Sequence, residues 1–220
     1  NGSIPVYTLP FSEDFTGGLT PENWRIEKVD GKMQDQYLWR FDNWFDIPVI
    51  GGNFSGDFAS LSSAVAGYTR VWSTLDTPPL KRGNLAEGEK TFLEFDLDYN
   101  ASGKYSTAGV YYSYDGETWA PIEDEFDGYA TDDLTSGETC KPEHKVYDIT
   151  DIFKDSTTPV YIAWSYNGKL ANHMAIDNVK IYNATAASVN TVSNQSYSLD
   201  GNTFTVAAAG VERIEVFGAN

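Results

Sequence analysis

The sequence predicts an all-β fold, a sandwich of two sheets with a small β appendage at the C-terminus. Its 220 residues include 14 Tyr, 12 Phe, 6 Trp and 19 Gly, a composition typical of strands joined by many turns. Apolar and polar residues alternate in short runs, and no stretch keeps the period of a helix. Because sandwiches of this length often fold around one core, we expect a single main domain.

The charge of the chain excludes two classes of partner. The formal net charge is −17 at pH 7, so nucleic acids and anionic membrane surfaces would be repelled. No apolar run approaches the roughly 20 residues that a membrane-spanning helix needs. The single Cys140 cannot form an internal disulfide. We therefore expect no nucleic-acid partner and no membrane insertion. Stability is expected to come from packing, with a bound metal as a second source.

Turn-forming residues divide the main domain into short strands. An extended leader, residues 1–10, carries two prolines without N–H donors and suits an edge or a linker. Asp115-Gly116 predicts a tight hairpin. Residues 30–57 and the acidic stretch 123–143 are expected to form loops, and the role of the second is left open. Strands are expected at 11–16, 23–29, 58–65, 68–75, 90–99, 107–114, 118–122, 145–150, 159–166 and 173–182.

Two of these strands carry acidic residues in an apolar alternation. Residues 90–99 alternate so regularly that one face should be buried and the other, with Glu94, Asp96 and Asp98, should be wet. In residues 173–182, Met174, Ile176 and Asn178 should share one face, and Ala175, Asp177, Val179 and Ile181 the other. A carboxylate among apolar residues needs a donor or a cation, so Asp177 requires a partner.

A calcium ion is one such partner. If the first and last strands of the sandwich are neighbours, Glu13 or Asp14 comes close to Asp177. Adjacent carboxylates repel unless they share a proton or a metal ion, and calcium prefers oxygen ligands. The alternative is that these carboxylates accept capping hydrogen bonds and hold no ion.

The C-terminal region changes in composition. Residues 184–194 are rich in Ala, Ser, Thr and Asn and are predicted to be a linker. Residues 195–220 suggest short strands at 196–199, 203–206 and 211–217. So small a segment cannot fold alone, so it packs on the main domain or begins a module that this chain does not complete.

The turn around Trp44 is the predicted ligand-binding site. Trp44 and Phe45 lie between Asp42 and Asp46, a mixture that suits a sugar, because an aromatic ring stacks on a pyranose while carboxylates bind its hydroxyls. The alternative is that both aromatics fold back on the core. The remaining tryptophans are expected to pack in the core or in a hairpin: Trp24, Trp39, Trp72, Trp119 and Trp164.

Catalysis finds little support in the sequence. His144 and His173 are the only histidines, and neither belongs to a zinc-binding or nucleophile-activating motif. Cys140 has no oriented base and no oxyanion site beside it in the sequence. The chain is therefore expected not to be an enzyme. A sandwich-type glycoside hydrolase is the remaining catalytic alternative, and it would need two carboxylates facing each other in a cleft.

Six landmarks follow one another along the main domain: Phe11-Ser-Glu-Asp-Phe15, Trp24, Trp72-Ser-Thr-Leu-Asp-Thr-Pro78, Leu93-Glu-Phe-Asp-Leu97, Ser113-Tyr-Asp-Gly-Glu-Thr-Trp119 and Ala175-Ile-Asp-Asn-Val179. Their order resembles the jelly-roll domains of the cleaved-adhesin and choice-of-anchor families of exported bacterial proteins. The related MAM domains share this galactose-binding-like sandwich, but their disulfides cannot form with one cysteine. The tail that ends at 211–220 is similar to the opening of C-terminal sorting domains.

The resemblance implies a location, a function and a metal. Such domains commonly hold calcium between the first and last strands, which points to Glu13, Asp14 and Asp177, although Thr16 stands where relatives often have an acid. It implies a secreted or outer-membrane-associated surface protein. We expect a monomeric, non-catalytic adhesion or carbohydrate-binding module whose partner is a glycan or a host or surface protein. The competing expectation is a structural or accessory domain of a larger surface protein.

Overall fold

The fold is a sandwich of two antiparallel sheets. A computed structural model describes residues 4–48 and 52–185, and the backbone of two strands at 196–200 and 203–207. The strands are β1 Tyr7–Thr8, β2 Phe11–Glu13, β3 Arg25–Lys28, β4 Ala59–Ser62, β5 Val71–Asp76, β6 Leu80–Lys81, β7 Glu89–Tyr99, β8 Gly103–Ser113, β9 Ala120–Glu123, β10 Glu143–Asp148, β11 Tyr161–Ala171 and β12 His173–Thr185. Sheet I has the strand order β10-β7-β12-β2, with β4 also paired to β12, and sheet II has the order β3-β5-β11-β8-β9.

Helical structure in the described residues is confined to single 3-10 turns. These are η1 Asp35–Tyr37, η2 Ala64–Ala66, η3 Thr131–Asp133 and η4 Thr150–Ile152. None of the helices in the described part of the chain has the length and apolar character needed to cross a membrane. The all-β sandwich predicted from the sequence is confirmed.

An early strand and the last strand of the main domain are neighbours, as the sequence predicts. β2 pairs antiparallel with β12, so that Phe11 lies opposite Ile181 and Glu13 lies opposite Val179. The leader before β2 is extended, and its β1 pairs in parallel with β6. The condition that the calcium hypothesis requires, neighbouring first and last strands, is therefore met.

Aromatic side chains fill the space between the sheets. Trp164 of β11 is fully buried, stacks on Trp24 at 6.0 Å between ring centroids, and meets Phe95 of β7 edge-on at 5.3 Å. Edge-on and stacked pairs add to the area that each ring removes from water. The core positions predicted for Trp24, Trp39 and Trp164 are confirmed.

A bulge in β12 changes the predicted faces of that strand. The register with β7 shifts between Asp177 and Lys180, and Asn178 has φ +51°. A bulge inserts one unpaired residue and reverses the alternation beyond it. Val179 and Ile181 therefore join Ile176 in the core instead of sharing a face with Asp177. The assignment of faces from a strict two-residue period was wrong at this point.

The acidic face of β7 is not wet. Asp96 and Asp98 point away from the core, as the alternation predicts, yet they are only 2% and 0% exposed. Side chains from β10, β12 and two loop segments cover them. The predicted solvent exposure of these two carboxylates was wrong because alternation identifies a face but not what lies over it.

The chain divides into two compact units, residues 1–189 and residues 190–220. The described part of the second unit is one antiparallel hairpin, β13 Ser196–Asp200 and β14 Thr203–Ala207. These strands match two of the three predicted there. The third, at 211–217, and the predicted linker beyond residue 185 lie outside the described residues.

Candidate functional site

An open groove runs over the outer face of sheet II. We call it the aromatic groove; it has a volume of about 410 Å³. Its aromatic residues are Trp72 from β5, Tyr111 from β8 and Trp119, which precedes β9. The other lining residues are Glu27, Val29, Thr74, Thr107, Ala108, Gly109, Glu117, Ala163, Ser165 and Asn167.

Strand register places these side chains together. Asn167 of β11 lies between Trp72 of β5 and Thr107 of β8, and Ser165 lies between Thr74 and Gly109. Paired residues in antiparallel strands share a face. The groove floor is therefore made of small or hydroxyl- and amide-bearing side chains, while the aromatics stand at its sides.

Gly109 allows the chain to fold over one side of the groove. A Cβ at this position would lie 2.5 Å from the carbonyl oxygen of Asp124, closer than real atoms approach. The Tyr111 hydroxyl donates to the same carbonyl and to the Asp124 carboxylate, each at 2.9 Å. Burial, followed by this carboxylate, raises the pKa of Tyr111 to about 12, so the hydroxyl remains a donor at neutral pH.

The turn that carries Trp119 is fixed by two sets of bonds. The Asp115 carboxylate accepts bonds from the N–H groups of Glu117 and Thr118, at 2.8 and 2.7 Å, and from the Ser113 hydroxyl. These donors, the Thr118 N–H first, hold the pKa of Asp115 well below its usual range. They shape the connection 114–119 between β8 and β9, which forms a hairpin as predicted but is longer than the tight turn expected from Asp115-Gly116.

Arg25 of β3 ties this turn to sheet II. Its Nη2 donates to the Gly116 carbonyl at 2.5 Å, and its Nε donates to the buried Asp76 carboxylate at 2.8 Å. Burial raises the pKa of Asp76 to about 6, although Arg25 opposes this effect. The backbone that leads into Trp119 is therefore fixed before any ligand arrives, which lowers the entropy that binding costs.

Trp72 is oriented by Arg70. The Arg70 guanidinium lies 4.5 Å from the centre of the Trp72 ring and donates from Nε to the Asn167 side chain at 2.6 Å. Trp72 and Trp119 are both half-buried. The sequence predicts core or hairpin packing for them and does not predict a groove. The alternation of β5 does not indicate which sheet the strand joins, and so it does not show which residues lie beside Trp72.

The predicted turn around Trp44 is separate from this groove. Trp44 is 47% exposed, whereas Phe45 is buried and meets the Trp44 ring edge-on at 5.1 Å. Asp42 forms a two-bond ion pair with Arg40, whose guanidinium lies 5.4 Å from the Trp44 ring centre. Asp46 is exposed. The turn thus presents one aromatic ring, and a shallow cavity beside Asp42 is not lined by Trp44.

Of the predicted calcium residues, Asp14 and Asp177 lie close enough for their charges to interact. Asp177 is buried, and burial, with smaller contributions from the charges of Asp96 and Asp14, raises its pKa to about 6. Asp14 and Glu13 accept bonds from the N–H groups of Thr16 and Phe15, at 3.0 and 2.7 Å.

The register separates Glu13 from Asp177. Glu13 pairs with Val179, on the face of Ile181, whereas Asp177 pairs with Asp96, on the opposite face. A cavity of about 280 Å³ adjoins Glu13 and Asp14 but not Asp177. Among the residues that the structure describes, no three His, Cys, Asp or Glu side chains converge as they would on a metal ion.

Both histidines bind buried carboxylates on the outer face of sheet I. His144 Nδ1 lies 2.8 Å from Asp96, and His173 Nε2 lies 2.7 Å from Asp98. Tyr129 also donates to Asp98, at 3.1 Å. The two histidine pairs link β10 and β12 to β7, and the Tyr129 bond holds the segment before η3 against the sheet.

The two sheets define this chain as a β-sandwich domain, and solved cleaved adhesin domains are similar to it in fold. The K1 cleaved adhesin domain of Lys-gingipain from Porphyromonas gingivalis has TM-score 0.55 and 21% identity, covering 79% of this chain and 97% of that domain. The K3 domain of the same protein has TM-score 0.53 and 20% identity, over 78% and 96%. No family model and no curated protein sequence matches the chain. The sandwich fold that the resemblance implies is thus confirmed, and the likeness concerns the fold alone.

Proposed function

We propose that this chain is a non-catalytic binding domain of an exported surface protein and that it binds a carbohydrate chain in the aromatic groove. The observation that carries the proposal is the preformed pair Trp72 and Trp119 beside a floor of hydroxyl and amide groups. Sugar rings stack on aromatic faces, while polar side chains of this kind bind their hydroxyl groups.

The groove is suited to a ligand that enters from the side. It is open to solvent along the outer face of sheet II, so a long saccharide can lie across the strands without being threaded through a tunnel. The rigid turn at Asp115 and the Arg70 contact fix both tryptophans. The turn with Asp42, Trp44, Phe45 and Asp46 is the rival location for the same function.

Affinity electrophoresis tests the proposal and its rival location. Native gels would contain xylan, galactan, galactomannan or mixed-linkage β-glucan, and compare the wild-type chain with Trp72→Ala/Trp119→Ala and with Trp44→Ala. We expect at least one neutral polysaccharide to retard the wild type, and the double variant to lose roughly tenfold or more in affinity. Loss in Trp44→Ala alone would move the site to the rival turn, and no retardation by any polysaccharide would overturn the function.

A hydrolytic alternative is tested on the same samples. Glu27 and Glu117 both line the groove, and a glycosidase uses two carboxylates across the bond that it cleaves. Glu27, however, is ion-paired with Arg25 at 3.2 Å. We expect no release of reducing ends from a polysaccharide that binds, and release that Glu117→Gln abolishes would favour the hydrolase.

Calcium remains a proposal for the edge of sheet I. Asp177 and Asp14 are near enough for their charges to interact, and a divalent ion would relieve that repulsion. If the native state binds calcium at a concentration of a hundred times Kd, chelation should lower the melting temperature by about 5 °C. An unchanged melting temperature would favour the capping hydrogen bonds observed for Glu13 and Asp14.

A further inference from the structure

The negative charge of the chain is not spread evenly over its surface. The sequence contains 32 Asp and Glu residues, yet none lies in 58–75, 99–114 or 156–176. These three segments contribute β5, β8 and β11, the central strands of sheet II, and the loops at one end of them. These central segments therefore contribute no carboxylate to that end of sheet II. Acidic segments from elsewhere adjoin it at Asp30, whose N–H donates to the Trp72 carbonyl, and at η3, where Thr131 contacts Ser102 and Asn172.

This end carries exposed aromatic rings and cations, which we call the basic patch: Tyr68, Arg70, Lys104, Tyr105 and Lys169. Tyr68 is 76% exposed and Tyr105 is 50% exposed. The ammonium groups of Lys104 and Lys169 lie 5.8 and 5.9 Å from the centre of the Tyr68 ring. Both distances are near the outer limit of a cation–π contact, so the ammonium donors stay open to a ligand.

The cations of the basic patch lack acidic partners among the described residues. In the part of the chain that the structure describes, Arg70, Lys104 and Lys169 form no ion pair with a carboxylate. Each of the following residues has at least one: Arg25, Lys28, Arg40, Lys90, Lys145 and Lys180. At physiological ionic strength charges are screened over about 8 Å, so carboxylates farther away than this contribute little to the potential at the patch.

The patch continues the aromatic groove. Lys169 pairs with Tyr105 in register, two residues beyond Asn167 and Thr107, so all four share the outer face of sheet II. Arg70 connects the two regions, because it covers Trp72 and binds Asn167. A saccharide in the groove therefore reaches the patch without leaving the face of the sheet.

The loop that presents Tyr68 is anchored to the core. It follows η2 and the fully buried Ser63, whose hydroxyl bonds to the Tyr166 hydroxyl at 2.9 Å and to the Ala171 carbonyl at 3.0 Å. The Ala171 N–H in turn donates to the Ser63 hydroxyl at 3.0 Å. The patch is thus supported by buried hydrogen bonds.

We infer that the basic patch is a binding site for an anionic sugar, in which Lys104 and Lys169 bind a sulfate or carboxylate substituent and Tyr68 and Tyr105 contact the ring that carries it. The inference rests on the proposed function, since it extends the same saccharide from the groove. It names the ligand as a glycan with negatively charged substituents. The overall charge of −17 would disfavour such a ligand, and the local cations make this end an exception.

A matched pair of polymers tests the inference. Dextran and dextran sulfate of equal length share a backbone and differ in charge, and polygalacturonate supplies carboxylates in place of sulfates. We expect the wild-type chain to bind dextran sulfate or polygalacturonate more tightly than dextran at 50 mM salt. Lys104→Gln/Lys169→Gln should weaken that binding about tenfold.

The control variant is Lys32→Gln/Lys154→Gln. Lys154 also lies over a tyrosine, at 3.8 Å from the ring centre of Tyr114, and both lysines are exposed. The control variant changes the net charge by the same amount at other positions. An equal loss of binding in the control would show non-specific attraction and would refute the assignment of the basic patch as the site. Equal binding of dextran and both anionic polymers would also overturn it.

Two further readouts separate the ligand class and the two proposals. Tyr68→Ala should weaken dextran sulfate binding and leave binding of poly-L-glutamate unchanged; equal loss for both would overturn the assignment to a sugar. The groove proposal would be supported if Lys104→Gln/Lys169→Gln still binds a neutral polysaccharide and Trp72→Ala/Trp119→Ala does not. If the wild-type chain binds a neutral polysaccharide through the groove but does not bind the anionic polymers more tightly than dextran, this inference alone is overturned.

Discussion

The outer faces of the two sheets differ in exposure, and the difference is the opposite of what the polarity of their side chains would suggest. The outer face of sheet I is acidic in sequence, yet Asp96 and Asp98 are buried. The outer face of sheet II carries Trp72 and Trp119, yet it is open as a groove. The comparison shows that loops, and not the polarity of a strand, decide which face of a sandwich meets solvent.

The partners of the buried carboxylates explain why sheet I stays covered. Asp96 accepts bonds from Asn53 and Asn178 and contacts His144. If the covering segments detached, the donors and carboxylates that now bind one another would lose these hydrogen bonds and would have to be hydrated instead. The hydroxyl and amide groups on the floor of the groove can bind water or ligand. Sheet I thus contributes stability, and sheet II is available for binding.

Substitution of Asp98 should break the covered face with the largest effect. Asp98→Ala leaves His173 and Tyr129 without their carboxylate and removes an acceptor for the Lys141 N–H. We expect a loss of about 3 kcal/mol or more in the free energy of unfolding, measured in urea. Ser165→Ala on the floor of the groove is the control, with an effect within about 0.5 kcal/mol. Similar costs for the two variants would refute the division between a structural face and an open one.

The pH dependence of stability tests the charge buried beneath the hairpin. Asp76 is fully buried, and burial raises its pKa to about 6. Between pH 4 and pH 6 the native state keeps a proton that the unfolded state has released, so the free energy of unfolding falls as pH rises. From pH 4 to pH 7 the wild type should lose on the order of 2 kcal/mol relative to Asp76→Asn, and stay constant relative to it above that range. Parallel pH profiles for the two chains would contradict the burial effect.

A smaller effect should sharpen the claim that the groove is preformed. Asp115→Ala removes the acceptor of the turn before Trp119 and should weaken saccharide binding several-fold in affinity gels. Asp155→Ala is the matched control, because Asp155 caps the N–H groups of Thr157 and Thr158 in a turn that does not line the groove. Equal loss in both variants would mean that the turn at Asp115 does not position Trp119.

Much of the fold could be predicted because it follows from local chemistry. Alternation identified β7 and β12, and the Asp115-Gly116 pair identified the hairpin. The bulge at Asp177 could not be predicted, since a single inserted residue leaves no mark in the alternation before it.

The candidate site was harder to predict because it depends on strand order. Trp72, Asn167 and Thr107 are far apart in sequence and meet only through the pairing of β5, β11 and β8. The acid-free segments that surround the basic patch are visible in the sequence, but only the fold brings them together. Trp44 is exposed as its acidic neighbours suggest, whereas Phe45 is drawn into the core.

The most direct test follows the six tryptophan indole N–H signals in a two-dimensional NMR titration with a polysaccharide that retards the chain in affinity gels. The signals of Trp72 and Trp119 should shift in a saturable manner, while those of the core residues Trp24, Trp39 and Trp164 should stay in place. Shifts confined to Trp44, with Trp72 and Trp119 unchanged, would contradict the assignment of sheet II as the binding face.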